Sequence, residues 1–383
     1  FAALGAKITA MKADGCDVIR MDEGSPDLPP PAHILAALAN SANSPDHHGY
    51  QSHRGTAELR RAWAQMYLQA YRVDLDPDSE LLPLLGSKEG IFNLSQALVG
   101  PGDVVLVPEL GYITYTRGAE FAGGEVVYLP VSPERGYLPD LKAIPPETAR
   151  RAKLLWLNYP NNPTAAVATE RFFAEAVDFA REYNLLICHD AAYTQVTFTG
   201  RNAPSLLGVP GAKDVAIEFN TLSKSHNMAG WRLGAALGNP DVLRLLFTLK
   251  SNLDSSHFRP MMDAAVAAMT GDQTWLQDRN QIYRQRRDVV IQALQTLGLQ
   301  AAVPEASLYV WSPVLEGWSS LKFTEVILDT AHVSLTPGSV FGEKGEGYIR
   351  IALTAPLERT QEAMSRIAQA LSGFDHSNRS RTG

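Results

Sequence analysis

The feature that most constrains the fold is the alternation of short apolar runs with longer stretches of helical spacing. The runs are "VVLV" from 104, "GEVVYLP" from 124, "AKLLWLN" from 152, "NLLICHD" from 184, "VAIEFN" from 215 and "RLGAALG" from 232. Near-continuous apolar strands separated by helices predict βα units and a mostly parallel sheet with both faces covered. Between two of them, "TERFFAEAVDFAREY" (169–183) places apolar residues at helical spacing and opens on Thr169, a candidate N-cap. Residues 45–280 are therefore expected to form one α/β domain, with a mostly parallel central sheet flanked by helices. Beyond it, "NQIYRQRRDVVIQALQTLGLQ" (280–300) predicts a long connecting helix, followed by "SLYVWSPV", "HVSLTPG" and "YIRIALT" as strands of a smaller α+β domain. That domain is expected to combine residues 281–383 with residues 1–44, whose Pro-rich "SPDLPPPAHI" predicts turns or extended chain.

Charge narrows the partners. The 383 residues carry 34 basic and 41 acidic side chains with no basic stripe, which argues against nucleic acid or an anionic membrane surface and for a small molecule. No apolar stretch is long enough for a membrane span, and "FAALGAKITAMKADGCDVIR" lacks a signal-sequence core, so a cytoplasmic protein is expected. Phe1 leads to the expectation that a short segment precedes it. Of the two cysteines, Cys16 and Cys188, the second lies in an apolar run and reads as a small buried hydrophobe. No metal site is expected.

In an open parallel sheet, ligands sit beyond the carboxyl ends of the strands, so the residues there are the informative ones. After the strand near 84, Gly86 and Ser87 precede a helix starting near Lys88, whose free N–H groups could hold an anion; a plain Ser87 cap accounts for the same pattern. "YPNNPT" presents Asn161 and Asn162, which turn geometry alone could require. Asp190 ends "LLICHD" and is followed by Tyr193. A carboxylate at the end of so apolar a strand needs a partner, and a ring-nitrogen cation would serve. "VAIEFN" then delivers Thr221, Ser223 and Lys224, eight residues before Arg232.

Together, Gly24, Tyr50, "GSKEG", "GYITY", "NYPNNPT", "DAAY", "TLSKSHNMAGWRLG" and "YIRIA" resemble, in order and over nearly the whole chain, the class I/II aminotransferases of fold type I. The wording is most similar to their aspartate, alanine and LL-diaminopimelate branches. The resemblance implies pyridoxal 5′-phosphate as cofactor and amino-group transfer between an L-amino acid and a 2-oxo acid. It implies that Lys224 forms the Schiff base and moves the proton, that Asp190 keeps the pyridine nitrogen protonated, and that Tyr193 and Asn162 hydrogen-bond the 3′ oxygen. Tyr112 would stack on the ring, or else be a core tyrosine. The phosphate would be held by Ser87, Lys88, Thr221, Ser223 and Arg232. Tyr50 would reach the phosphate of a partner subunit, making a homodimer with shared sites, or else anchor its own loop.

Arg350 would clamp the substrate's α-carboxylate, with Gly24 closing over it. Arg259, in "SSHFRPMMDAA", resembles an arginine that reads a distal carboxylate from the neighbouring subunit; an ordinary interface arginine is the other reading. Ala165 stands where relatives commonly have glycine. A β-lyase or another carbanion chemistry could use the same residues, since the cofactor supports several outcomes. A dinucleotide-dependent dehydrogenase is disfavoured, because no G-x-G-x-x-G follows the first strand.

Overall fold

The computed structural model describes residues 2–379. Its centre is a seven-stranded sheet of β1 (Leu81–Leu84), β2 (Val104–Pro108), β3 (Glu125–Leu129), β4 (Ala152–Asn158), β5 (Leu186–Asp190), β6 (Ala216–Thr221) and β7 (Gly234–Gly238), in the order β1-β7-β6-β5-β4-β2-β3. Pairing is parallel from β6 through β5, β4 and β2 to β3. β7 alone runs against both of its neighbours. The apolar run marked that segment as a strand, but strand direction is set by the connection, which periodicity does not report.

Alternation along the strands explains why the runs are continuously apolar. Val105 and Val107 of β2, with Trp156 of β4 and Phe219 of β6, pack on one face against Ile91 and Leu94 of α1 (Ser87–Leu98). Val104, Leu106, Leu155 and Leu157 pack on the other against Phe172, Phe173, Ala176 and Val177 of α2 (Glu170–Tyr183). Both faces are buried, so neither tolerates polar alternation. The Thr169 hydroxyl accepts from the Phe172 amide at 3.1 Å, which is the cap expected from sequence.

Helix α3 (Arg259–Thr270) packs beside Ala32–Ala42 and Ala57–Tyr71 and leads into the long α4 (Trp275–Thr296). α4 reaches a second core, where Tyr283, Val290, Ile291 and Leu294 meet β8 (Tyr309–Pro313), β10 (Tyr348–Ala352) and the helix α5 (Leu357–Arg379). β9 (Thr336–Pro337) completes an antiparallel sheet in the order β9-β10-β8. Ile19–Arg20 pairs in parallel with Val333–Ser334, so the N-terminal segment joins this second layer and then crosses toward the large sheet. Among the described residues, no helix is long and apolar enough to cross a membrane, and no group of three or more His, Cys, Asp or Glu is placed to hold a metal.

Candidate active site

The polar residues converge where β1, β4, β5 and β6 end. Asp190, the last residue of β5, is 6% exposed. Its Oδ2 accepts from the Tyr115 hydroxyl at 2.8 Å, whereas its Oδ1 is buried with no protein partner. Burial pushes the carboxyl above the usual carboxylate range, opposed by the Tyr115 hydrogen bond and by the nearby His189 and Lys224 charges. Tyr115 is itself stacked on Trp156, with centroids 4.8 Å apart, which fixes where its hydroxyl points. Tyr112, part-buried, lies edge-on to Tyr115, and the Lys88 ammonium sits 5.7 Å from its ring centre.

Strand β6 ends on Thr221, which caps the single helical turn Leu222–Ser225 by accepting from the Ser223 amide at 3.1 Å. This turn presents Lys224, whose Nζ donates to the Gly24 carbonyl at 2.5 Å. From behind, the buried Arg279 of α4 holds the Lys224 carbonyl at 3.3 Å and the Gln195 carbonyl at 2.7 Å, and donates to that of Ser225. Burial pushes the Arg279 guanidinium down to about 10. The Thr221 hydroxyl is spent on the Leu233 carbonyl at 3.0 Å, while the Ser223 hydroxyl is buried with no protein partner.

Because β7 is reversed, its start lies at the same edge as the ends of β1 and β6. Gly234 opposes Thr221 in register, and a Cβ on Gly234 would stand 2.6 Å from the Ser87 amide nitrogen. Arg232, exposed, folds over Gly86, where a Cβ would meet its Nη2 at 2.3 Å; Gly86 also has φ +82°. The arrangement places a guanidinium against the N-terminus of α1, the end at which free amides and the helix dipole favour an anion.

On the opposite side, the buried Arg350 of β10 donates through Nη1 to Asn162 Oδ1 at 2.8 Å and through Nη2 to the Asp22 carbonyl at 2.7 Å. Its Nε has no protein partner. The Asn162 amide is in turn held by Asn158 Oδ1 at 2.9 Å, and Asn158 Nδ2 holds the Asp190 carbonyl at 2.8 Å. Tyr193 reaches not a carboxylate but the hydroxyl of Tyr309 at 3.0 Å. The backbone around Gly24 is bound by three separate elements, since Arg350, Thr354 and Lys224 take the carbonyls of Asp22, Glu23 and Gly24 in turn.

Tyr50 and Arg259, also picked from sequence, make no hydrogen-bond, ion-pair or ring contact with the residues of this cluster described above. Tyr50 is 94% exposed. Arg259 is held by Asp263, four residues on in α3, at 2.7 Å. Conversely, Tyr115, Tyr309, Asn158 and Arg279 were not selected from the sequence. Tyr115 had a faint signal, three residues after Tyr112 in the same "GYITY" stretch; Tyr309 had none, because an aromatic in an apolar strand reads as core.

The sequence profile of the family "Aminotransferase class I and II" matches residues 16–370. The chain belongs to this family. As a class I and II aminotransferase it is a pyridoxal-phosphate-dependent transaminase. An LL-diaminopimelate aminotransferase from Moorella thermoacetica is 47% identical over 97% of this chain and 95% of its own length. One from Desulforudis audaxviator is 48% identical over the same shares. Among solved structures, substrate-bound BacF from Bacillus subtilis superposes with a TM-score of 0.92 at 35% identity, covering 96% of this chain and 93% of that one. A probable N-succinyldiaminopimelate aminotransferase from Thermus thermophilus gives 0.91 at 37%, covering 97% and 99%. The two LL-diaminopimelate aminotransferases support aminotransfer rather than the β-lyase alternative.

The aminotransferase's site fits its cofactor on its own terms. A pyridinium N–H would satisfy the partnerless Asp190 Oδ1, and a phosphate would take the Ser223 hydroxyl, the amides opening α1 and the Arg232 fork.

Proposed function

We propose that this aminotransferase takes LL-diaminopimelate as amino donor and 2-oxoglutarate as acceptor, in two half-reactions sharing one site. The supporting observation is the pair of relatives of that name, matched at nearly half identity along nearly the full length of both chains. When bound, pyridoxal phosphate supplies the electron sink that makes a Cα proton removable.

The chain's own residues do the rest. Lys224 would hold the cofactor covalently and, once released, would carry the proton to and from Cα; leaving the Gly24 carbonyl frees it to do so. Asp190 keeps the ring nitrogen protonated, and the bound cation repays the burial that otherwise disfavours the ionised carboxyl. Tyr193 and Asn162 would hold the 3′ oxygen, Tyr112 would lie against the ring, and Ser87, Lys88, Ser223 and Arg232 would hold the phosphate, joined by Thr221 once its hydroxyl turns from the Leu233 carbonyl. Arg350 takes the α-carboxylate, with the Gly24 segment closing beside it.

Tyr50, solvent-exposed within one subunit, supports a homodimer in which it reaches the partner's phosphate. Arg259, held by Asp263 within its own subunit, is the candidate for a distal carboxylate across that boundary. Both cysteines are free, which supports a reducing cytoplasm.

The substrate assignment is tested by single-turnover spectra of the loaded enzyme with LL-diaminopimelate, aspartate, alanine and glutamate. LL-diaminopimelate should bleach the visible band with the highest rate over affinity, and glutamate should do so as the reverse partner. Faster bleaching by aspartate or alanine than by LL-diaminopimelate would reassign the donor.

A further inference from the structure

We infer that Tyr309 is a positioning residue for the transamination site, acting through the Tyr193 hydroxyl, and that residue 24 is glycine to admit it. The inference rests on the reading that Tyr193 hydrogen-bonds the cofactor's 3′ oxygen.

The geometry comes first. Tyr309 is 2% exposed on β8, and its hydroxyl stands 3.0 Å from that of Tyr193. The two rings meet nearly edge-on, with centroids 5.6 Å apart at 71°, so their hydroxyls converge while the rings brace each other. Arg350 lies over the Tyr309 ring at 4.2 Å. The hydroxyl occupies the hollow of Gly24, where a Cβ would come within 1.9 Å of the oxygen. Gly24 does not have the positive φ that would independently require glycine there. Space for the hydroxyl end of the Tyr309 ring, its oxygen and the Cζ that carries it at 2.8 Å from such a Cβ, is therefore the reason the position lacks a side chain.

Proton direction gives the pair its use. A buried hydroxyl pair shares one hydrogen bond, so one member donates and the other is left to donate elsewhere. Burial raises the Tyr193 hydroxyl well above the usual phenol range, and its neighbour Tyr309 raises it further. Burial also works to raise Tyr309, but the Arg350 and Lys224 charges and the Tyr193 hydrogen bond bring it below that range. With a 3′ oxygen to receive it, the Tyr193 proton turns to the cofactor and the Tyr309 hydroxyl, 3.0 Å away, supplies its proton to the Tyr193 oxygen. A hydroxyl that accepts while it donates is the stronger donor. Tyr309 thus fixes the orientation of Tyr193 and strengthens its hold on the 3′ oxygen without touching the reacting carbon.

The experiment uses the cofactor-loaded enzyme and reads the pH midpoint of its visible band, which reports protonation of the Lys224 linkage. Weakening the bond to the 3′ oxygen makes that oxygen hold the linkage proton more tightly, so the midpoint rises. Tyr309→Phe should raise it by about half a pH unit to one unit, the scale of one hydrogen bond. Gly24→Ala, which drives the ring and its hydroxyl out, should raise it at least as far. Tyr193→Phe should raise it further, and adding Tyr309→Phe to Tyr193→Phe should add nothing, because the effect passes through the missing hydroxyl. A shifted Tyr193→Phe beside an unshifted Tyr309→Phe, or additive shifts in that double variant, would overturn the role given to Tyr309. An unshifted Tyr193→Phe would overturn the underlying reading of Tyr193 itself, and this proposal with it. Near-native melting curves for Tyr309→Phe are expected, since the ring and its packing are kept.

Discussion

Asp190 is held in a place that disfavours its own charge. Burial raises its pKa, so between the ordinary carboxylate pKa of about 3.9 and its raised folded value the unfolded chain releases a proton that the fold retains. That difference costs stability on the high-pH side and disappears below about pH 4, where both states are protonated. Without cofactor, Asp190→Asn should therefore melt at or above the wild-type temperature at neutral pH, with the gain shrinking toward pH 4. The loaded variant should lose about two or more orders of magnitude in kcat, since shape survives and the counter-charge does not. A lower neutral-pH melting temperature together with an unchanged rate would make Asp190 a packing residue. At this scale, legibility followed chemistry. Lys224, Asp190 and Arg350 stand out because polar groups at strand ends need a reason. Tyr115 and Tyr309 did not, because tyrosines in apolar surroundings look the same from sequence whether or not their hydroxyls are used. Ala165 stands where the resemblance led us to expect glycine, and it adopts φ +60°, a conformation that costs a side chain on the order of 1 kcal/mol.

Elements were readable to the extent that periodicity and caps define them. Helix α2 opens one residue after the cap named from sequence, and the Thr169 side chain makes the expected bond. Thr169→Ala should lower unfolding stability by about 1 kcal/mol with activity unchanged, as measured by urea denaturation; Thr169→Ser should recover most of it. No loss in Thr169→Ala would mean that the Phe172 and Phe173 contacts define the helix start unaided. Strand direction was less legible. A fully buried parallel strand and a fully buried antiparallel one present the same apolar run, so β7 could be placed in the sheet but not oriented. Its reversal matters for the site, because it brings the residue before β7 and the residue after β6 to one edge.

Across the whole molecule, two cores meet along the N-terminal segment, α4 and the turn that carries Lys224. The sequence marked both layers through their separate strand groups. Tyr50 is 94% exposed, and its proposed role lies in a partner subunit. The proposal of shared sites is open to a complementation test. Refolding Lys224→Ala subunits together with Tyr50→Ala subunits creates hybrids in which one site has both its Lys224 and its Tyr50. The mixture should exceed the mean of the two separate preparations and approach about a quarter of wild-type activity per site for random pairing. Activity equal to that mean would confine each site to one chain. The register of Thr221 with Gly234 carries a last implication. Residues 222–233 form a ring clasped at its neck, with Lys224 near one side of the clasp and Arg232 near the other. An open surface loop can be lengthened residue by residue with its ends unmoved in role, but a residue added to this ring would change the spacing between Lys224 and Arg232.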